Sequence, residues 1–186
     1  MPDQVCLSLW LRSFNQKTMF DRFRELLHAF PFSNLRPGIG ALRVYAIEFT
    51  EPALSEQMFA HEVDADTVME FVQEFQEPDC AYLVEGWWDL WRYDNGWQLA
   101  PSPVVLTCFG PLFENDEGDH LRLDLGPEDF FLPLEGVPDA ARKAHSNLQS
   151  IVRLAHELEE RLPVSRQNLW SESGEDLAER LRELAD

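Results

Sequence analysis

The chain has 186 residues, 45% of them hydrophobic and 26% charged, with a formal net charge of −19 at pH 7. This balance is that of a globular chain long enough to bury a core without disulfide or metal staples, and it excludes a disordered one. The excess of acid argues against nucleic-acid binding, because phosphate backbones would be repelled.

Residues Met1 to Trp10 lack a basic n-region and a long apolar core, so no signal peptide is expected. Val5, Leu7, Leu9 and Leu11 alternate with Cys6, Ser8 and Trp10. Apolar character on both faces predicts a central strand. Thr18 is positioned to cap a helix carrying Phe20, Phe23, Leu27 and Phe30, which Pro31 stops. A turn is predicted at Pro37-Gly38-Ile39-Gly40, then strands over Leu42–Phe49 and Leu54–Val63. Asp64 is a candidate N-cap for a short helix with Val68, Phe71, Val72 and Phe75, ended by Pro78. A strand then runs from Cys80 to Tyr93. The order β-α-β-β-α-β predicts a ferredoxin-like antiparallel sheet over residues 3–93, within a single α+β domain. Residues 94–130 would extend that sheet, and residues 136–186 would pack on it as C-terminal helices.

Asn95-Gly96 is a strong hairpin signal, because both residues tolerate the positive φ of a two-residue turn. That turn would pair Asp94 with Trp97, Tyr93 with Gln98 and Arg92 with Leu99. Trp88, Leu90, Arg92, Trp97 and Leu99 would then share one face. The opposite face would carry, on one strand, Glu85, Trp87, Asp89, Trp91 and Tyr93, with Gln98 across from Tyr93 on the other. Indole faces stack on sugars or attract cations, and carboxylates accept from hydroxyls or pair with amines. These five residues are therefore the candidate binding site, with cover by the C-terminal helix and its Arg142, Lys143 and Arg153 as the structural alternative.

Pro101-Ser102-Pro103 is expected to interrupt the returning strand at an edge or bend. Strands follow at Val104–Phe109 and His120–Leu125, joined by the solvated turn Glu114–Asp119. Ala141, Ala144, Leu148, Ile151, Ala155, Leu158 and Leu162 predict a long helix packed on the body. Val164–Ser171 reads as a flexible joint, and Ser173 as the cap of a last helix.

Charge is unevenly spread. Residues 51–135 hold twenty acidic groups and only two basic ones, Arg92 and Arg122, whereas residues 1–50 are slightly basic. Such a region attracts cations and basic partners, and it also serves solubility. His61-Glu62-Val63-Asp64-Ala65-Asp66 matches no metal-site spacing, and Glu114–His120 lacks the first ligand of a calcium loop. His145 and His156 share a helix face but lie about 16 Å apart along it. No cofactor or metal is therefore expected. Cys6, Cys80 and Cys108 are far apart and form no CxxC, which suggests reduced thiols in a cytoplasmic protein. With no stretch near ~18 apolar residues, no membrane association is expected. No P-loop, GxGxxG or GxSxG motif is present. The reading leans to a non-catalytic interaction protein that binds a basic partner or itself. The alternative is a sugar- or amine-binding protein, or an enzyme, using the acidic aromatic face.

Overall fold

The computed structural model describes residues 3–172. The last predicted helix lies outside them. Seven strands form one sheet: β1 (Gln4–Leu11), β2 (Ile39–Ala46), β3 (Ser55–Met58), β4 (Cys80–Tyr93), β5 (Trp97–Phe109), β6 (Leu121–Pro127) and β7 (Val164–Ser171). Helices α1 (Met19–Ala29), α2 (Ala65–Val72) and α3 (Ala140–Arg161) follow β1, β3 and β6. The protein is thus α+β, and every neighbouring strand pair is antiparallel.

The order across the sheet is β3-β2-β4-β5-β6-β1-β7. This departs from the expected ferredoxin-like unit, in which β1 would lie between β3 and β4. Here β1 lies between β6 and β7, and the connection through α1 passes three strands to reach β2. The physical reason lies in the two middle strands. β4 is 14 residues long and takes β2 on one side and β5 on the other, which leaves β1 no place beside it.

The helices cover one face. Phe23 and Leu27 of α1, Val68 and Val72 of α2, and Leu148, Ile151 and Leu158 of α3 meet Leu7, Leu9, Tyr82, Trp88, Leu106 and Leu123 in one core. Each fully buried side chain of this kind contributes about 1.5–3 kcal/mol relative to exposure. Trp88 lies between Phe30 and Phe131 and donates its indole N–H to the Leu125 carbonyl at 3.2 Å, so burial leaves no unpaired donor. On the opposite face a smaller cluster of Ala81, Phe109 and Phe113 sits under Tyr45 and Leu83.

Several local expectations change. Val164–Ser171 is no joint. It pairs with β1 over its length, because the buried backbone N–H and C=O groups on the edge of β1 away from β6 need partners. Residues 101–103 do not interrupt β5. Phe109 sends its N–H to His120, so by alternation Pro101 and Pro103 also point away from β4, beyond the last β6 partner of β5 at Val105. The hairpin loop has three residues, Asp94 to Gly96, and only Asn95 among the non-glycines is left-handed, with φ 54°. Tyr93 therefore pairs with Trp97, and Trp91 with Leu99. The one-residue slip moves Trp97 and Leu99 onto the Trp91/Tyr93 face. Thr18 starts α1 without a side-chain cap, its hydroxyl being engaged with Ser13 and Asn15. Asp64 does cap α2, accepting from Thr67 N–H at 2.7 Å. Among the described residues no helix is long and apolar enough to cross a membrane.

Candidate functional site

Glu85, Trp87, Asp89 and Trp91 stand on the face of β4 opposite the buried Trp88 and Leu90, with Tyr93 at its end. β2 pairs with β4 only as far as Gly86, so beyond it one edge of β4 lacks a strand neighbour. Other segments fill that edge. Ser33 donates its N–H to the Trp87 carbonyl, and Trp87 donates to the Gly38 carbonyl. Asn147 of α3 accepts from Trp91 N–H and donates to the Trp91 and Phe130 carbonyls.

Each of the five side chains has a partner within the chain. Glu85 pairs with Arg43, which also holds Glu56 at 2.8 Å. The outer edge of the Trp87 ring reaches Gly40, where a Cβ would come within 2.6 Å of it, and Arg36 lies 3.5 Å from the ring centre. Asp89 accepts from Ser33 Oγ at 2.5 Å and Asn34 N–H at 3.0 Å, fixing the loop that crosses the edge. Lys143 Nζ sits 3.0 Å from the centre of the Trp91 ring. Tyr93 meets Trp97 edge-on at 5.4 Å. Of the helix cations expected here, Lys143 meets a ring and not an acid.

Two spaces adjoin these residues. The cavity bordered by Trp91, Tyr93, Trp97 and Phe130 is about 130 Å³. That is small beside the roughly 300–1,000 Å³ of ordinary ligand sites. The cleft between α3 and the 30–34 loop is about 580 Å³ and brings Asp89 near Arg153 and Glu157.

The sequence reading missed a second polar constellation, around the 114–120 segment. Asp119 is fully buried, against the expectation of a solvated turn. It accepts from Arg122 at 2.7 and 2.8 Å, Ser8 Oγ at 2.6 Å and Asn115 Nδ2 at 2.8 Å. Burial alone would raise its pKa, but those donors outweigh it and hold the carboxyl below its ordinary range. Trp170 Nε1 completes the group by donating to Ser8 Oγ. One register step away, Cys6 donates to Asp124, whose carboxyl is raised by burial. Burial also raises the thiols of Cys6 and Cys108, so neither is an activated nucleophile. His120 accepts from Leu11 N–H through Nδ1 and stacks on Phe14 at 4.4 Å, and burial lowers its pKa. Asn115, Asp119 and Arg122 lie close together in the sequence, but Ser8 lies more than a hundred residues from them and from Trp170, and no local pattern announces the group.

The loops at the end of the sheet where β4 begins form the other notable surface. Residues 47–54, 73–79 and 110–119 contain no lysine or arginine, and apart from Asp119 they hold eight acidic residues. Backbone bonds tie them together: Ile47 N–H to Asp79, Glu114 N–H to Ile47 and Leu112 N–H to Pro78, each 2.8 Å. Among the acids stand exposed apolar side chains, Leu112 at 71% and Ile47 at 55% exposure, with Phe49 beside them. Ile47 is left-handed at φ 69°. For a β-branched residue that is a genuine outlier, which costs about 1–3 kcal/mol.

Among the described residues no three His, Cys, Asp or Glu side chains gather as a metal site. No family model matches the chain, and neither a curated protein nor a solved structure is significantly similar to it.

Proposed function

We propose that the protein is a non-catalytic interaction module whose acidic loop end docks a basic protein. The observation that carries this reading is Ile47. A β-branched side chain held in a strained conformation is displayed to solvent, and the acidic loop that carries the exposed Leu112 is bonded to it through Glu114 N–H. Strain of this kind persists only where surrounding structure enforces it, and it clusters at functional positions. Exposed apolar anchors inside a charged rim are the composition of a docking surface. The field of Glu48, Glu77, Asp79 and Glu114 would select a cationic partner and speed its encounter, by roughly 10- to 1,000-fold at low salt.

The test is affinity capture with the wild-type chain and with a double variant, Ile47→Asn/Leu112→Ser, at low and high salt. A specific basic protein retained by the wild type and lost from both the variant and the high-salt wash supports the reading. Retention unchanged by either would sink it.

The second reading, a small amine or sugar ligand, is favoured by one feature, the roughly 580 Å³ cleft that borders Asp89. The partners already engaged by Glu85, Trp87, Asp89 and Trp91 weigh against it. A Trp fluorescence titration with simple amines and monosaccharides, repeated on Asp89→Asn, separates the two. A saturable change abolished by that substitution would favour the second reading over the first.

A further inference from the structure

We infer that β7 is a self-association edge, on which a second copy of this chain adds its own β7 antiparallel about a two-fold axis at Asn168. Arg12 donates its N–H to Pro163, whereas Leu11 donates to His120. Even-numbered residues of β1 therefore face β7, and Arg166, Asn168 and Trp170 face back. By alternation the backbone groups of Gln167 and Leu169 point outward. Among the described residues no strand lies beyond β7. The two edges of the sheet differ. β3 spans only four residues, which is how an edge is protected, whereas β7 runs eight residues without proline or lysine, and its one charged side chain, Arg166, lies over Trp10.

The choice of a second copy rests on complementarity. A two-fold axis at Asn168 places Gln167 opposite Leu169 of the partner subunit, so the outward groups of both form ladder bonds. On the face away from the helices, Arg166 would meet Trp170 of the partner subunit directly and Glu172 of the partner subunit diagonally. In the single chain the Arg166 guanidinium already lies 3.6 Å from the centre of the Trp10 ring, ready to meet a second indole. Glu172 is exposed and has no cation paired with it among the described residues, while Asp124 feels its charge. On the helix side a groove of about 300 Å³ runs between α3 and β7, where Val152, Ala155 and Leu169 stand beside His156, Glu159 and Gln167. Val152 is 44% exposed there. Leu169 of the partner subunit would enter this groove. The surface is separate from the acidic loop end and does not depend on it.

The experiment is the solution mass of the full chain by light scattering and sedimentation over a concentration series. The wild type is expected at twice the 21.6 kDa chain mass. Leu169→Pro removes an outward N–H that makes no bond to β1, so it should give a monomer with unchanged circular dichroism. Should that variant fail to fold, Arg166→Glu, which brings two like charges together, should weaken the dimer at least about tenfold. Arg166→Glu/Glu172→Arg should then restore it. A wild-type chain that stays monomeric at every concentration, or a dimer untouched by these variants, overturns the inference.

Discussion

Asn147 hydrogen-bonds both backbone groups of Trp91, accepting from its N–H at 2.8 Å and donating to its carbonyl at 2.9 Å. One side-chain amide thereby stands in for a missing sheet neighbour at the place where β2 has ended. The same amide donates to the Phe130 carbonyl at 2.7 Å, tying the 128–131 turn to the strand and α3.

Asn147→Ala should therefore cost about 2–4 kcal/mol, because it strands three backbone groups at about 1–3 kcal/mol each and water can rescue part of the loss. Urea denaturation measures the cost, and hydrogen exchange localises it. The Trp91 amide should exchange far faster in the variant, whereas the amides of β1 should lose only the global difference. Uniform loss across the sheet would contradict the edge role.

Ile47→Gly should raise stability by about 1 kcal/mol, since glycine takes a left-handed φ without the Cβ penalty. The same change should weaken docking at the acidic end. A variant that melts higher and binds less would show stability and function opposed at one residue. A lower melting temperature would mean that the Ile47 side chain contributes more through packing than its backbone loses.

Asp119→Ala should be among the most damaging single changes, at about 3–5 kcal/mol, because it leaves Arg122 partly buried without its counter-ion. Asp119→Asn, which keeps an acceptor for Ser8, should cost less. Since the Asp119 pKa is held below its unfolded value, its contribution is present above pH about 4 and is lost as pH falls through the folded pKa. Chemical denaturation of both variants at neutral and acid pH checks the order and the sign.

His120 acts at higher pH. Its folded pKa lies below the unfolded value of about 6.5, so above that pH both states are neutral and it contributes no pH dependence. As pH falls below about 6.5 the unfolded chain takes up the proton first, and stability declines. His120→Asn should keep an acceptor for Leu11 N–H and abolish this decline. Comparing the two chains at pH 7.5 and 5.5 removes contributions they share, including the opposite-signed one from the raised carboxyl of Asp124.

The sequence revealed what is local. Cys80–Tyr93 has the predicted bounds, and Asp64 caps its helix as expected, because alternation and capping act over a few residues. Strand order was hidden, since the choice of neighbour for β1 depends on β6 and β7, more than a hundred residues away. The register of the hairpin turned on one residue, and Asn-Gly serves a three-residue loop as well as a two-residue one. The five candidate side chains were correctly grouped on one strand face, but the cations that meet them come from Arg36, Arg43 and Lys143 on three other elements. Ile47 gave no signal, because a strained φ is imposed by the loops that grip it and not by its own type.

The chain contains only two lysines, Lys17 and Lys143, and the second is seated over Trp91. Its amine is thus a natural chemical reporter. Acylation of Lys143 should lag behind that of Lys17 while α3 holds the hairpin, and should catch up once the hairpin swings free. The ratio of the two labelled peptides in a mass spectrum would then follow the opening of this corner of the molecule, with no probe engineered into it.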